Sequence, residues 1–170
     1  MEPIHTLIVE DDTLLQTLLR NTIGGLVDHV EIAGTVEAAL TELQRQKYDL
    51  LVVDRTLPDG DGLDLVMELS EAEQPTRSLI ISALRTSLPE RLSVYRAGGH
   101  DFLSKPFHLS EFKAKFNNLL TLQRCQKTSL LRFADIGLNT ETGQLYLGTQ
   151  PARVLRRKEV AILACLLRNR

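Results

Sequence analysis

Cysteine is nearly absent from this 170-residue chain: two residues, Cys125 and Cys165, stand 40 positions apart. Their isolation gives no metal-ligand spacing, and a disulfide framework would need more of them. A reduced, cytosolic compartment is the simplest reading, with a single disulfide left open. No apolar run approaches the length of a membrane span, so no membrane partner is expected. A basic leader is missing too. Met1 to Glu10 runs straight into a strand pattern, which predicts no signal peptide. The formal net charge is only −2, so no bulk field draws nucleic acid or anionic lipid to the whole chain. Internal repeats and low-complexity tracts are lacking. The four His residues are scattered and read as surface or turn residues rather than ligands.

What is present is an alternation. Leu50-Leu51-Val52-Val53 is a short apolar run without polar interruption, as in a strand buried on both faces of a parallel sheet. It ends abruptly at Asp54, and a turn rich in Pro, Gly and Asp leads into a helical pattern at Leu63, Leu65, Val66 and Leu69. The carboxyl edge of such a sheet is where ligands bind. An Asp there either caps the next turn or does chemistry.

The same unit recurs along the chain. Thr6 to Val9 leads through Glu10-Asp11-Asp12 into Leu14, Leu15, Leu18 and Leu19 at helical spacing. His29 to Ala33 reads as an outer strand, and Thr35 as the cap of a second helix. Ser78 to Ala83 is a fourth strand, followed by a helix opening near Pro89 and stopping at Gly98-Gly99. Asp101 to Pro106 is a short fifth strand, and Ser110 is read as the cap of a fifth helix. Five strands alternating with five helices predict an α/β fold: a doubly wound, five-stranded parallel sheet with helices on both faces.

After residue 122 the character changes. Residues 123–129 are polar and read as a linker or helix tail. Residues 130–170 turn to β-type pattern: Leu130 to Leu138, Gln144 to Leu147 and Ala152 to Leu155 as strands, then a helix over Lys158 to Asn169. Forty-one residues are few for an independent core. The expectation is one complete domain over 1–122 and the first part of a second domain over 130–170.

The strand ends carry the chemistry. Glu10, Asp11, Asp54, Ser82 and Lys105 all fall on the carboxyl edge, where they converge. Clustered carboxylates repel one another and call for a cation. Oxygen ligands of this kind suit Mg²⁺ better than Zn²⁺. With a Lys and a hydroxyl beside it, such a centre can stabilise a transferring phosphoryl group while one carboxylate acts as nucleophile. A nucleotide- or flavin-binding enzyme of similar fold is disfavoured, because the turn Glu10-Asp11-Asp12-Thr13-Leu14 has no Gly to cradle phosphate and its charge repels one.

These residues together resemble a response-regulator receiver domain over residues 4 to about 122. The motifs are Leu-Ile-Val-Glu-Asp-Asp at 7–12, Asp-x-x-Leu-Pro-x-x-x-Gly at 54–62, Ser82-Ala83 and Lys105-Pro106-Phe107. The resemblance implies Asp54 as phosphoacceptor, Mg²⁺ held by Glu10, Asp11, Asp54 and the Thr56 carbonyl, and Lys105 and Ser82 acting on the phosphoryl group. It also implies Ser82 and Phe102 as switch positions and a cis peptide before Pro106. The chain would be a phosphoacceptor with self-catalysed phosphotransfer rather than a turnover enzyme, and its partner a histidine kinase.

The tail resembles the winged-helix output domain of the OmpR/PhoB subfamily. Its recognition helix would lie beyond Arg170, so DNA binding is expected of a full-length output domain and not of these residues. Subfamily resemblance further implies a homodimer through the fourth helix, fifth strand and fifth helix. Arg91, Asp101, Glu111 and Lys115 alternate in charge there and allow Arg91–Glu111 and Asp101–Lys115 pairs across a two-fold axis. The alternative function is a signalling adaptor whose receiver binds a protein and whose tail never meets DNA.

Overall fold

A computed structural model describes residues 3–72, 76–83, 88–140 and 142–168, with side chains left aside at 88–91, 125–130 and 168. The chain divides into two compact units, Glu2–Gln123 and Arg124–Arg170 (with Met1).

In the first unit the strands are β1 (His5–Val9), β2 (His29–Ala33), β3 (Leu50–Asp54), β6 (Arg77–Ser82) and β7 (Asp101–Ser104). They form one sheet in the order β2-β1-β3-β6-β7, and every pairing is parallel. Two two-residue strands, β4 (Thr56–Leu57) and β5 (Gly60–Asp61), make a small hairpin directly after β3. The helices are α1 (Thr13–Ile23), α2 (Val36–Arg45), α3 (Gly62–Glu71), α4 (Leu88–Arg96) and α5 (Leu109–Ser129). The expected α/β fold, a doubly wound five-stranded parallel sheet, is the one observed.

Strand alternation divides the core in two. Leu7, Val9, Leu51, Val53 and Ile80 face one cluster with Ala39 of α2 and Leu65, Val66 and Leu69 of α3. Ile8, Leu50, Val52, Leu79 and Ile81 face the other, with Leu19 and Ile23 of α1 and Phe112, Phe116, Leu119 and Leu120 of α5. Successive side chains of a strand point to opposite faces. An unbroken apolar run is what a sheet covered by helices on both faces requires.

Local signals set the helix starts. Asp12 accepts from the backbone N–H of Leu14 and Leu15, Thr35 from Ala38, and Asp61 from Leu63, each satisfying a first-turn donor that has no intrahelical acceptor. Ser110 does not cap α5. The helix begins at Leu109, and the His108 carbonyl accepts from Glu111 and Phe112, so Ser110 falls inside the first turn. Residues 123–129 are the last turns of α5 rather than a linker.

The second unit holds a four-stranded antiparallel sheet in the order β11-β10-β9-β8, made of β8 (Leu130–Phe133), β9 (Ile136–Asn139), β10 (Gln144–Leu147) and β11 (Gln150–Val154), with α6 (Arg157–Arg168). The stretch read as one strand from Leu130 to Leu138 is a hairpin. Ala134 turns it with a φ of 50°, a conformation for which Ala gives no warning in sequence. At the start of α6 the Glu159 carboxylate reaches back to accept the Arg156 backbone N–H at 2.8 Å. That is the reciprocal half of a capping box. Among the described residues no helix is long and apolar enough to cross a membrane.

Candidate phosphoacceptor and metal site

Asp54 ends the central strand β3, Glu10 and Asp11 follow β1, Ser82 ends β6, and Lys105 follows β7. All five therefore lie at one edge of the sheet. The Lys105 ammonium donates to Glu10 Oε2 at 2.9 Å and to Asp54 Oδ2 at 2.5 Å. The second Asp54 oxygen accepts the Thr56 backbone N–H at 2.9 Å. Ser82 stands one residue beyond Ile81, the register partner of Asp54, and its carbonyl accepts the Lys105 backbone N–H. The Lys105–Pro106 peptide is cis.

Burial differs sharply among the acids. Glu10 and Asp54 are buried at 1% and 5% exposure, whereas Asp11 is exposed. Burial pushes the Glu10 carboxyl above its ordinary value; the Lys105 hydrogen bond opposes this and the Asp54 charge adds to it. For Lys105, burial works against the charged form, but hydrogen bonds to Asp54 and then Glu10 outweigh it and raise the ammonium above its ordinary 10.5. Three carboxylates facing one ammonium leave an excess of negative charge. Glu10, Asp11 and Asp54 each offer an oxygen within 4.8 Å of the others. This donor set fits a hard, oxygen-seeking divalent cation.

Several supporting contacts were not evident from sequence. Gln16 Nε2 donates to the Glu10 carbonyl, and the Asp12 backbone N–H reaches Glu10 Oε1 at 3.3 Å. Gly62 packs against the Asp54 backbone: a Cβ there would stand 2.1 Å from the Asp54 carbonyl oxygen and 2.7 Å from Val53 Cγ2. Asp59 accepts from the backbone N–H of Val36 and Glu37, so the loop after Asp54 caps α2. The motif Gly60-Asp61-Gly62 signals a turn. The longer motif over 54–62 marks Gly62 by position but does not show that it abuts the Asp54 carbonyl.

The expected dimer residues are arranged differently from the sequence picture. Lys115 pairs with Asp101 inside one chain, at 2.9 and 3.1 Å. Its ammonium also stands 5.6 Å from the Phe102 ring centroid. Glu111 is exposed in the first turn of α5, and the Arg91 side chain lies outside the described residues.

A family profile described as the response regulator receiver domain matches residues 6–117. The chain belongs to that family. Its relatives include the KDP operon transcriptional regulatory protein KdpE of Escherichia coli K12, 30% identical over 169 residues that cover 97% of this chain and 73% of KdpE. The transcriptional regulatory protein BasR of the same organism is 34% identical over 164 residues, covering 95% of this chain and 72% of BasR. Among solved structures, the Thermotoga maritima response regulator DrrB, described as an OmpR/PhoB homologue, superposes with a TM-score of 0.66. The match spans 99% of this chain and 74% of DrrB at 23% identity, a likeness of fold. This receiver is thus that of a two-component response regulator whose relatives are transcriptional regulators.

Proposed function

We propose that the chain is a phosphorylation-activated transcription regulator that accepts a phosphoryl group on Asp54 from a histidine kinase or a small phosphodonor. The observation that carries this reading is the Lys105 ammonium bonded to both Asp54 and Glu10, beside three carboxylates that can share one cation. An Asp54 oxygen attacks phosphorus to form an acyl phosphate. The bond from phosphorus to the donor's imidazole nitrogen, or to the carboxylate oxygen of acetyl phosphate, breaks with its electron pair on the leaving group. Lys105 then holds the new phosphoryl oxygens by charge, and Ser82 follows with its hydroxyl. Glu10, Asp11, Asp54 and the Thr56 carbonyl would hold Mg²⁺, which neutralises charge on the transferring group. The chain acts as the switch and not as a turnover enzyme.

Relatives named as transcriptional regulators match across the 124–170 unit as well as the receiver, which supports the transcription reading over a signalling adaptor. DNA contact belongs to the full output domain of this class of regulator, and the working compartment is the cytoplasm. Dimerisation uses the face formed by α4, β7 and α5. The internal Asp101–Lys115 pair must open or be shared for Lys115 to reach a second copy.

Mg²⁺ and acetyl phosphate with intact-mass readout test the core of this reading. The wild type gains one phosphoryl mass and Asp54→Asn gains none; equal labelling of both rejects the assignment. Asp11→Ala is expected to weaken Mg²⁺ binding and labelling together, since ligand and charge leave at once. Wild-type Mg²⁺ affinity in that variant would remove Asp11 from the metal set.

A further inference from the structure

The sheet has a second polar feature at its opposite edge. A cavity of about 290 Å³ lies where β6 and β7 begin, lined by Leu69, Ser70, Thr76, Ser78, Gly98 and His100 among others. Its floor is tightly built. Gly98 takes a φ of 86°, and a Cβ there would stand 2.5 Å from Ser70 Oγ. The turn after α4 is closed by backbone bonds from Gly98 to Tyr95 and from Gly99 to Val94. His100 therefore enters β7 from a fixed position. Its Nδ1 accepts the Ser78 backbone N–H at 3.3 Å and stands 3.4 Å from Ser78 Oγ. Its backbone N–H donates to the Ser78 carbonyl at 3.2 Å. One residue, Ser78, thus holds His100 by side chain and backbone, while part of His100 stays exposed to solvent.

We propose that His100 is a proton-operated latch on the start of β7: neutral, it ties β7 to β6 through Ser78; protonated, it lets go and loosens the segment carrying Asp101 and Phe102. The chemistry is that of imidazole. Accepting at Nδ1 requires the neutral tautomer with its proton on Nε2. The imidazolium has N–H on both nitrogens, so a Ser78 N–H would face another donor. The exposed part of the residue gives the proton a route from solvent, and the cavity gives the ring room to turn.

The charged surroundings favour the neutral form at ordinary pH. Burial of the ring, and then the Arg77 charge on β6, hold the imidazole below its ordinary 6.5. Arg96, in the last turn of α4, is exposed and does not line the cavity. Asp101, next along β7, is already held by Lys115 of α5. The part of α3 lining the cavity, Val66, Leu69 and Ser70, brings no charge. Because the folded value lies below the unfolded one, the latch is fully closed above pH 6.5 and opens as pH falls through the folded value. Its consequence for signalling, a switch strand easier to rearrange in acid, rests on the receiver function proposed above.

The test uses the unphosphorylated, isotope-labelled 170-residue chain followed by NMR from about pH 8 to pH 5, across the ordinary His range. It therefore stands whether or not Asp54 takes a phosphoryl group. The His100 ring should titrate below 6.5, and the Ser78, Asp101 and Phe102 amides should shift with the same midpoint. In His100→Asn, whose side-chain oxygen can accept from Ser78 without titrating here, that shared transition should vanish. A ring midpoint at or above 6.5, or Asp101 and Phe102 amides that ignore the ring in the wild type, would overturn the latch. So would an unchanged amide transition in the variant. The wild-type curves decide the matter alone if the variant does not fold.

Discussion

The two units of this chain reach different degrees of closure. The receiver sandwiches its sheet, with Val52 and Val53 on consecutive positions both buried by helices on opposite faces. In the 124–170 unit α6 packs on one small sheet, and among the described residues Leu138, Leu155 and Ala164 form its buried cluster. Every residue of β11 is exposed, as are Leu147, Val154, Ile162 and Leu166. Charge divides along the same line. Residues 1–123 carry 19 acidic and 11 basic side chains, residues 124–170 carry 3 and 9. The near-neutral total conceals an acidic unit and a basic one. Net charge therefore has to be read by domain before it excludes an anionic partner.

The largest expected effect tests the difference in closure. Phe112 is fully buried between Phe107 and Phe116, and Phe112→Ala should cost the receiver about 3–5 kcal/mol. Leu138 is equally buried in the other unit, yet Leu138→Ala should leave the receiver's urea midpoint unchanged. It should instead abolish slow amide exchange in β8 to β11. If both substitutions shift one common transition by similar amounts, the two units fold as one and the contrast fails.

How far the sequence could be read follows the same division. Strands β1, β3 and β6 were legible because burial on both faces leaves an uninterrupted apolar run. The acids and Lys105 were legible because strand ends share an edge once the sheet is parallel. The hairpin at Ala134-Asp135 was not, since Ala134 gives no sign of its positive φ and Asp135 alone is a weak turn signal inside an otherwise strand-like stretch. The misassigned cap at Ser110 has a related cause: the acceptor is the His108 carbonyl, and every residue has a carbonyl. Gln16 and Asp59 were missed as parts of the site, and the contact that Gly62 makes was missed too, because their partners are backbone atoms. Pattern reading finds side chains that meet side chains more readily than side chains that meet backbone.

Two glycines sharpen the comparison at the next level. Gly62 in the receiver and Gly143 in the second unit each lie against a carbonyl, and an added Cβ would meet it at 2.1 and 2.5 Å respectively. Overpacking of this kind costs roughly 1–3 kcal/mol. The carbonyl at Gly62 is that of Asp54, so Gly62→Ala should slow acetyl phosphate labelling in protein that is still folded. Gly143→Ala, against Leu155, should destabilise its own unit and leave the labelling rate alone. Equal labelling rates in the wild type and Gly62→Ala would show that the Asp54 backbone tolerates displacement.

The smallest effect concerns two carboxylates that do the same work by different routes. Asp59 caps α2 from the loop after β3, accepting from Val36 and Glu37. Glu159 caps its own helix, accepting from Arg156 and pairing with Arg153. Backbone hydrogen bonds, from Glu37 and then Val36, hold the Asp59 carboxyl below its ordinary 3.8. For Glu159 the Arg156 backbone bond, with the charges of Arg153 and Arg156, holds it below 4.5. A depressed folded value means that each cap's contribution is complete above the ordinary value and is lost as pH falls through the folded one. Acid should therefore loosen the start of α6 beginning below 4.5, and the start of α2 only below 3.8. Both groups are exposed, so salt should shrink the charge-dependent part for Glu159 more than the hydrogen-bonded part for Asp59. Asp59→Asn retains an acceptor for one N–H and should flatten the acid response of the Val36 and Glu37 amides. Glu159→Gln should do the same for Arg156 while leaving α2 untouched. Amide titration curves in both variants read this directly. If the Val36 and Glu37 amides keep their acid transition in Asp59→Asn, the loop after Asp54 does not govern the start of α2.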